Sequence, residues 1–311
     1  MCGGQEGDGV GERTEGGGTA VARGRSPGEG LARAWALLRR NRAGFVGFWA
    51  VVTFLFLAFV GPLVLPINLA EHVNQIYQAP SFRHLLGTDS QGRDIASEII
   101  AGGASVITVS FLASLFSTMI AITFGAMAAF LGGVTDYIVV GITDIILTIP
   151  QFPLLAVLSG FVQLSNSVEL ALLLGLLNWP TLLRAVRAEV LSLRQQDFVQ
   201  AAQGLDLGTL HIIFREILPN MFAYIAINFI VGMTNAIYAQ VGLIFLGLVP
   251  LATANWGVML TLAWNQGAAF YSGSFSYILS PVLAIALFQL ALITFSRALE
   301  EIFSPRLRSE A

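Results

Sequence analysis

Long runs of residues without Asp, Glu, Arg or Lys dominate the pattern of this chain. They cover residues 43–70, 99–135, 145–168 and 217–296. A helix needs about 20 apolar residues to cross the roughly 30 Å hydrocarbon core of a bilayer. The last run is long enough for more than one crossing, so the pattern predicts membrane-spanning segments rather than core helices of a soluble domain.

Six spans are predicted from these runs. They lie at about residues 43–65, 105–131, 137–162, 168–183, 219–248 and 275–296, with Pro150 and Pro153 interrupting the third. Because backbone groups in lipid must be hydrogen-bonded within the segment, each span is predicted to be a helix. The predicted fold class is therefore an all-α polytopic membrane protein with six transmembrane helices.

The stretches between the spans complete the predicted organisation. Residues 1–34 are rich in Gly and charged residues and are predicted to be disordered. A single six-span domain is predicted over residues 35–308, with residues 309–311 as a tail. Its loops include an outer loop at 66–104, an inner loop at 184–218, and a Gly-rich apolar stretch at 249–274 that is compatible with a dip into the membrane edge.

Composition agrees with a bilayer as the solvent. Hydrophobic residues make up 55% of the chain and charged residues 11%, with a mean hydropathy of +0.74. A soluble domain carries about a quarter charged residues. The single cysteine, Cys2, excludes an intrachain disulfide.

The arginines set the orientation, since cytoplasmic segments of membrane proteins carry an excess of positive charge. With the N-terminus and the C-terminus in the cytoplasm, every arginine except Arg83 and Arg93 falls on the cytoplasmic side. The opposite orientation would reverse that distribution. The chain is therefore predicted to be a multi-pass protein of the cytoplasmic (inner) membrane with both termini inside.

Several function classes have no support in the sequence. The chain contains no lysine, so it has no Gly-Lys-Ser/Thr phosphate loop with which to hydrolyse ATP. The three histidines, His72, His84 and His211, flank the predicted spans and form no His-Glu-x-x-His motif. No catalytic residue and no metal ligand is predicted.

Acidic residues near the membrane deserve a functional hypothesis, because burying a charge in lipid is costly. Asp136, Asp144 and Glu169 lie at or inside the predicted spans. Structural pairing is the favoured interpretation for each, and lining of a transport path is the alternative for Asp144.

The inner loop is predicted to form two short amphipathic helices. Asp197 is a suitable N-cap, and Gln200 three residues later completes a capping-box pattern. One apolar face follows at Phe198, Ala201, Ala202 and Leu205, and a second, after the helix breakers Gly204 and Gly208, at Leu210, Ile213, Phe214 and Ile217. The shallow first face suits docking to another protein, and it equally suits a helix lying on the bilayer or on the chain itself.

This inner loop resembles the cytoplasmic coupling segment of ATP-binding-cassette (ABC) importer permeases. The family pattern is Glu-Ala-Ala, three residues, Gly, nine residues and then Ile-x-Leu-Pro, and its end often has the sequence Ile-Leu-Pro-Asn. Ala201, Ala202, Ile217 and Pro219 match it, whereas Gln200 replaces the family Glu and Asp206 replaces a family Gly. Gln keeps the capping geometry without the charge, and Asp tolerates a left-handed turn better than most residues.

A second motif narrows the resemblance to the dipeptide, oligopeptide and nickel permeases. Leu86-Gly87-Thr88-Asp89, followed by Gly92-Arg93-Asp94, resembles their outer-loop signature. The residue types alone predict that Thr88 and Asp89 cap a helix starting near Ser90 or Gln91, and that Arg93 and Asp94 either shape the loop or face a partner. Further similarities lie at Arg39-Arg40-Asn41, Phe245-Leu246-Gly247-Leu248, Trp256-Gly257 and Ser304-Pro305-Arg306-Leu307-Arg308.

The resemblance implies a type I ABC-importer transmembrane domain, of the second permease subunit type, with a cytoplasmic coupling helix. It implies a heterodimer with a second permease subunit, two ATPase subunits that use ATP and Mg, and an extracytoplasmic solute-binding protein. It implies no cofactor bound by this chain, contact with membrane lipid and no nucleic acid. The implied cargo is peptides, with oligosaccharides or nickel as alternatives. A secondary transporter would leave the Ala-Ala loop unexplained, and a membrane-embedded hydrolase would need a paired nucleophile and base or a set of metal ligands.

Overall fold

The computed structural model describes residues 35–162, 164, 166–249, 254–271 and 273–303. This described part is helical and contains no strand, apart from one antiparallel bridge between Thr88 and Asp94. The predicted disordered segment 1–34 and the C-terminal similarity at 304–308 lie outside the described residues.

The principal helices follow the apolar runs of the sequence. They are α1 (Arg42–Phe59), α2 (Ile95–Leu131), α3 (Gly133–Thr148), α4 (Gln151–Phe161), α5 (Ser167–Arg194), α6 (Asp197–Gly204), α7 (Phe222–Phe245), α8 (Trp256–Asn265) and α9 (Phe275–Phe303). Short helical turns at Gly61–Val64, Val73–Gln75, Thr209–His211, Ile212–Ile217, Leu218–Asn220 and Ala268–Phe270 connect them.

Five of these helices, α1, α2, α5, α7 and α9, are long and apolar enough to cross a membrane. The pair α3 and α4 supplies a sixth crossing if the two helices form one span with an 88° bend. Ile149 at the bend is extended, as expected for a residue that precedes proline. The prediction of a helical polytopic membrane protein is confirmed, and so is the interruption of the third span at Pro150. Pro153 does not interrupt it, because it lies in the first turn of α4.

Two predicted loop boundaries were wrong. Helix α2 begins at Ile95 instead of residue 105, so the outer loop ends at Asp94 and not at residue 104. Helix α5 continues to Arg194, so the first part of the predicted inner loop 184–218 is helical. In both places the charges that suggested a loop are partnered: Glu98 lies near Arg93, and Arg184 and Arg187 pair with aspartates of α3.

Close backbone approach at small residues holds the long helices together. A Cβ atom on Gly175 of α5 would lie 2.9 Å from the Ala113 carbonyl oxygen of α2, and one on Gly232 of α7 would lie 2.6 Å from the Ser114 hydroxyl. Only glycine permits these approaches, in the manner of membrane helix contacts. Helix α2 is therefore the central element on which α5 and α7 pack.

The described part of the apolar stretch at 249–274 folds back onto the start of α2. Its helix α8 buries Trp256 almost completely, at 1% exposure, and the indole nitrogen donates to the Ile99 carbonyl at 2.8 Å. Asn255 caps α8 at the Gly257 nitrogen and also reaches the Ser105 hydroxyl at 3.1 Å. This packing closes the end of the bundle that carries residues 86–94.

Candidate functional site

Two sites stand at opposite ends of the bundle. The connecting segment, residues 195–221, joins α5 to α7 beside the end of α2. The signature loop, residues 86–94, precedes α2 beside the start of α9. Because α2 runs the full height of the bundle, it contacts both sites.

Helix α6 forms where the first amphipathic helix was predicted, but its N-terminus differs. Asp197 is the first helical residue rather than the cap, and the Gln196 carbonyl accepts from the nitrogens of Val199 and Gln200. The Gln200 side chain donates to the Gln195 carbonyl at 3.1 Å. The predicted capping box was therefore wrong, since the turn after α5 places Gln196 where the Asp197 cap was expected.

The apolar surface of α6 is divided between two environments. Val199 is fully buried and Ala202 is 6% exposed, both within a core cluster formed by α2, α5 and the residues after α6. Phe198, Ala201 and Leu205 are exposed, with Leu205 at 74%. Ala202 thus does not share the outward face with Ala201 as predicted, because it supports the helix from the bundle side.

A tight turn follows α6, and Asp206 forms it with φ of 54°. This left-handed conformation favours glycine, with Asn and Asp next. The Leu207 nitrogen donates to the Ala202 carbonyl at 3.2 Å and so ties the turn to α6. The left-handed turn at the position where the family has Gly is confirmed.

The second amphipathic helix contains a π turn at Ile212–Ile217. The Leu218 nitrogen donates to the Ile213 carbonyl five residues earlier, and this wider turn accommodates Pro219 in the helical run. The π turn also changes which residues form the buried face, and these are Ile212, Ile213 and Ile217. The predicted face was wrong at Leu210 and Phe214, which are exposed because an α-helical period does not apply here.

Ion pairs fix α3 to α5 near the connecting segment. Arg187 donates to both carboxylate oxygens of Asp136, at 2.5 and 2.6 Å, and Arg184 pairs with Asp144. Asp136, Asp144 and Arg187 line an open cleft of about 690 Å³ along α3. The predicted structural pairing of Asp136 and Asp144 is confirmed. Glu169 accepts from the Asn166 side chain at 2.9 Å at the far end of α5.

Asp89 organises the signature loop. One of its carboxylate oxygens accepts from the backbone nitrogens of Gln91 and Arg93, at 2.8 and 2.7 Å. Burial of the carboxyl group raises its pKa above the usual value, although the two backbone bonds oppose the shift. Asp89 therefore shapes the loop from inside and does not cap a helix near Ser90, as the sequence had suggested.

Thr88 and the two signature glycines complete the turn. The Thr88 hydroxyl accepts from the Gln78 nitrogen at 2.8 Å and donates to the Gln75 carbonyl. Gly87 and Gly92 have φ of 82° and 75°, and a Cβ on Gly92 would lie 1.9 Å from the His72 carbonyl oxygen. The glycines are required by both backbone conformation and space.

Asp94 is the N-cap of α2. Its second carboxylate oxygen accepts from the Ser97 nitrogen at 2.8 Å and from the Ser97 hydroxyl at 2.8 Å, and its first lies 3.1 Å from His84. The sequence predicted a cap at Thr88 and Asp89 for a helix near Ser90 or Gln91, and it predicted no helix start at Ile95, because the residues up to 104 were assigned to a loop. Of the two roles left open for Asp94, its contacts support shaping of the loop.

Arg93 links the loop to a carboxylate that the sequence analysis missed. Its guanidinium lies 2.5 Å from Glu71 and 3.6 Å from Glu98, and Glu98 is buried in the first turn of α2. Glu98 is the last charge before the run 99–135, and that position was the available signal. The sequence also provided no reason to select Tyr277 of α9, which is fully buried, because this residue lies within a long apolar run.

Comparison with known proteins identifies the family. Residues 121–309 match the model of the binding-protein-dependent transport system inner membrane component, and residues 31–80 match the N-terminal TM domain of oligopeptide transport permease C. A Brucella suis protein whose name describes a peptide permease is 32% identical over 89% of this chain and 91% of its own length.

Two further relatives are similar. The dipeptide transport system permease protein DppC of Alkalihalophilus pseudofirmus is 30% identical over 89% of this chain and 90% of its own length. The oligopeptide transport system permease protein OppC of Mycobacterium bovis is 30% identical over 67% of this chain and 72% of its own length. This chain belongs to the family of inner membrane components of binding-protein-dependent transport systems, as an ABC importer permease of the peptide branch.

Proposed function

We propose that this permease forms half of a path for peptides across the cytoplasmic membrane. The named substrates of its relatives support peptides as the cargo, and the alignments extend over nearly the whole of the Brucella and Alkalihalophilus proteins. The other half of the path belongs to a second permease subunit. ATP, with Mg, is used by two separate ATPase subunits, as is typical of this family.

The orientation that we propose places both termini and the connecting segment in the cytoplasm. Its support is the distribution of arginines, which gather at the start of α1, in the second half of α5 and in the connecting segment. The signature loop then lies on the extracytoplasmic side. There it is available to the solute-binding protein.

The main support for the proposal is the exposed apolar surface at α6, whose opposite side is packed on the bundle. Leu205, Phe198 and Ala201 face away from the bundle on one side of the helix. Exposed apolar groups on a polar segment mark an interaction surface. We propose that these three side chains enter a groove on an ATPase subunit, while Gln200, Asp206, Ile217 and Pro219 hold the shape of the segment around them.

Movement of α6 would be transmitted to the spans through its buried side. Val199 and Ala202 pack in one cluster with Ala129 of α2, Val190 of α5 and Met221 before α7. A packed cluster shifts as a unit because it is close to incompressible. ATP-driven closure of the ATPases would therefore move the ends of three spans together and turn the path from inward-facing to outward-facing as a rigid-body switch.

The face shared by α3 and α5 is proposed to meet the second permease. The side chains of Arg184 and Asp144 are each 51% exposed, although α5 is long enough to span the membrane and α3 belongs to the bent pair of α3 and α4. Half-exposed charges are costly against lipid, so they require water or protein around them. A water-filled path at the interface between two permeases satisfies that requirement.

Transport by the reconstituted complex tests the proposal. Liposomes containing this chain, its partner permease and the ATPases, with the binding protein supplied outside, should accumulate labelled peptides only when ATP is present inside. Labelled nickel and oligosaccharide serve as alternative cargoes. Uptake of either in place of peptide would reject the proposed cargo, and uptake by the lone chain under an ion gradient would reject the ATP-driven mechanism.

A further inference from the structure

An open cleft of about 590 Å³ lies between α1 and α9. Its walls include Ala50 and Phe54 of α1 and Leu287 and Leu290 of α9, and Arg42 stands at one end. The cleft lies outside both sites described above, because neither the connecting segment nor the signature loop contributes to it. Its walls and its charged end have different chemistry.

Beyond Arg42 and Thr294, the walls of the cleft are apolar and offer a polar ligand no hydrogen bond. Among the described side chains that line it, Thr294 and Arg42 alone are polar. The Thr294 hydroxyl lies 2.8 Å from the Leu290 carbonyl and donates within its own helix. A ligand that follows the cleft away from Arg42 must therefore be a hydrocarbon.

The length of the cleft matches one leaflet of a bilayer. From Arg42 to Phe54 the axis of α1 rises about 18 Å at the usual helical rise. Half of the hydrocarbon core is about 15 Å thick. A lipid chain that starts at the level of Arg42 would reach the middle of the membrane within the cleft.

The charged end carries the marks of a membrane–water interface. Arg39 and Arg40 precede Arg42, all three are exposed, and none has an ion-pair partner among the described residues. Trp35 and Trp49 lie beside them, within a chain of edge-to-face aromatic contacts. Tryptophan and arginine gather at the headgroup level of membranes.

We propose that this cleft binds an anionic phospholipid, with the phosphate on Arg42 and one acyl chain in the open groove along the line where α1 packs on α9. Charge complementarity selects the anionic headgroup, since unpaired arginines close to a membrane surface attract acidic lipids. The apolar walls select a lipid over a free phosphate. A bound lipid would fill the open cleft that α1 and α9 line.

Native mass spectrometry of the whole purified complex tests this site. We expect phosphatidylglycerol to be retained, phosphatidylcholine to be retained less, and inorganic phosphate not to compete. Arg42→Gln should weaken phosphatidylglycerol retention by about fivefold, the usual contribution of one arginine near an acidic surface. Ala50→Leu, which fills the cleft without changing charge, should weaken retention of both lipids. Arg83→Gln, an exposed arginine elsewhere in the chain, is the matched control and should have no effect.

Several results would overturn the proposal. Equal retention of the two lipids would show that Arg42 does not select an anionic headgroup. Competition by inorganic phosphate would show that the site binds anions in general and not a lipid. Unchanged lipid retention in both Arg42→Gln and Ala50→Leu would mean that another occupant covers the cleft, such as the partner permease or residues before 35. Because Arg42 is exposed, its replacement leaves the packing of α1 intact, and the test does not depend on the Ala50 variant.

Discussion

At the scale of single residues, three aspartates have three different roles. Asp89 folds the signature loop around its carboxylate, Asp94 caps α2, and Asp206 takes a left-handed turn. The sequence predicted the last correctly, since only a few residue types accept that conformation. It placed a cap at Thr88 and Asp89 and not at Asp94, because the residues up to 104 were assigned to a loop and no helix was expected to begin at Ile95.

The cap at Asp94 supports a first prediction. Replacing Asp94 with Ala removes the acceptor for the Ser97 nitrogen and hydroxyl, and loss of an N-cap costs about 1 kcal/mol. Amide hydrogen exchange in the first turn of α2 should accelerate about fivefold. Asp94→Asn keeps an acceptor oxygen and should exchange at a rate close to that of the unsubstituted protein. Equal exchange in the Ala variant would show that Asp94 does not hold the helix start.

At the scale of elements, the apolar runs predicted the long helices well and the short ones less well. Membrane spans repeat the same signal over many residues, whereas α6 has eight residues and its burial depends on what lies beside it. Spacing alone grouped Ala202 with Ala201. The structure separates them, because the core cluster of α2 and α5 contacts only one side of α6.

This division of α6 makes a second prediction. Ala202→Leu should destabilise the isolated permease by about 1–3 kcal/mol, the usual cost of overpacking a tight site. Leu205→Asp should leave the unfolding midpoint unchanged and reduce co-purification of the ATPase subunits, because Leu205 is 74% exposed. Gln203→Asp, on the polar side of the helix, is the control and should change neither. An unchanged midpoint for Ala202→Leu would contradict the inward position of this alanine.

At the scale of the whole molecule, the bundle connects the signature loop at one end to the connecting segment at the other through α2, α5 and α7. The charge-free runs were sufficient to predict the long helices of this arrangement. The sequence could not predict which helix faces of the bundle contact lipid, water or a second permease. In each case the side chains on that face are exposed when the chain is considered alone. The half-exposed pair of Arg184 with Asp144 marks one candidate for a face that contacts water or a second permease, because exposed charges are costly against lipid.

The most direct test of the account is the accessibility of two single cysteines, Ser81→Cys and Leu205→Cys, in a chain whose Cys2 is replaced by Ser. In intact cells a membrane-impermeant maleimide should label position 81 and not position 205. After the membrane is opened, position 205 should be labelled in the lone permease and protected when the ATPase subunits are bound, with Gln203→Cys less protected. Labelling of position 205 from outside, or labelling that the ATPases leave unchanged, would contradict the proposed orientation and docking surface.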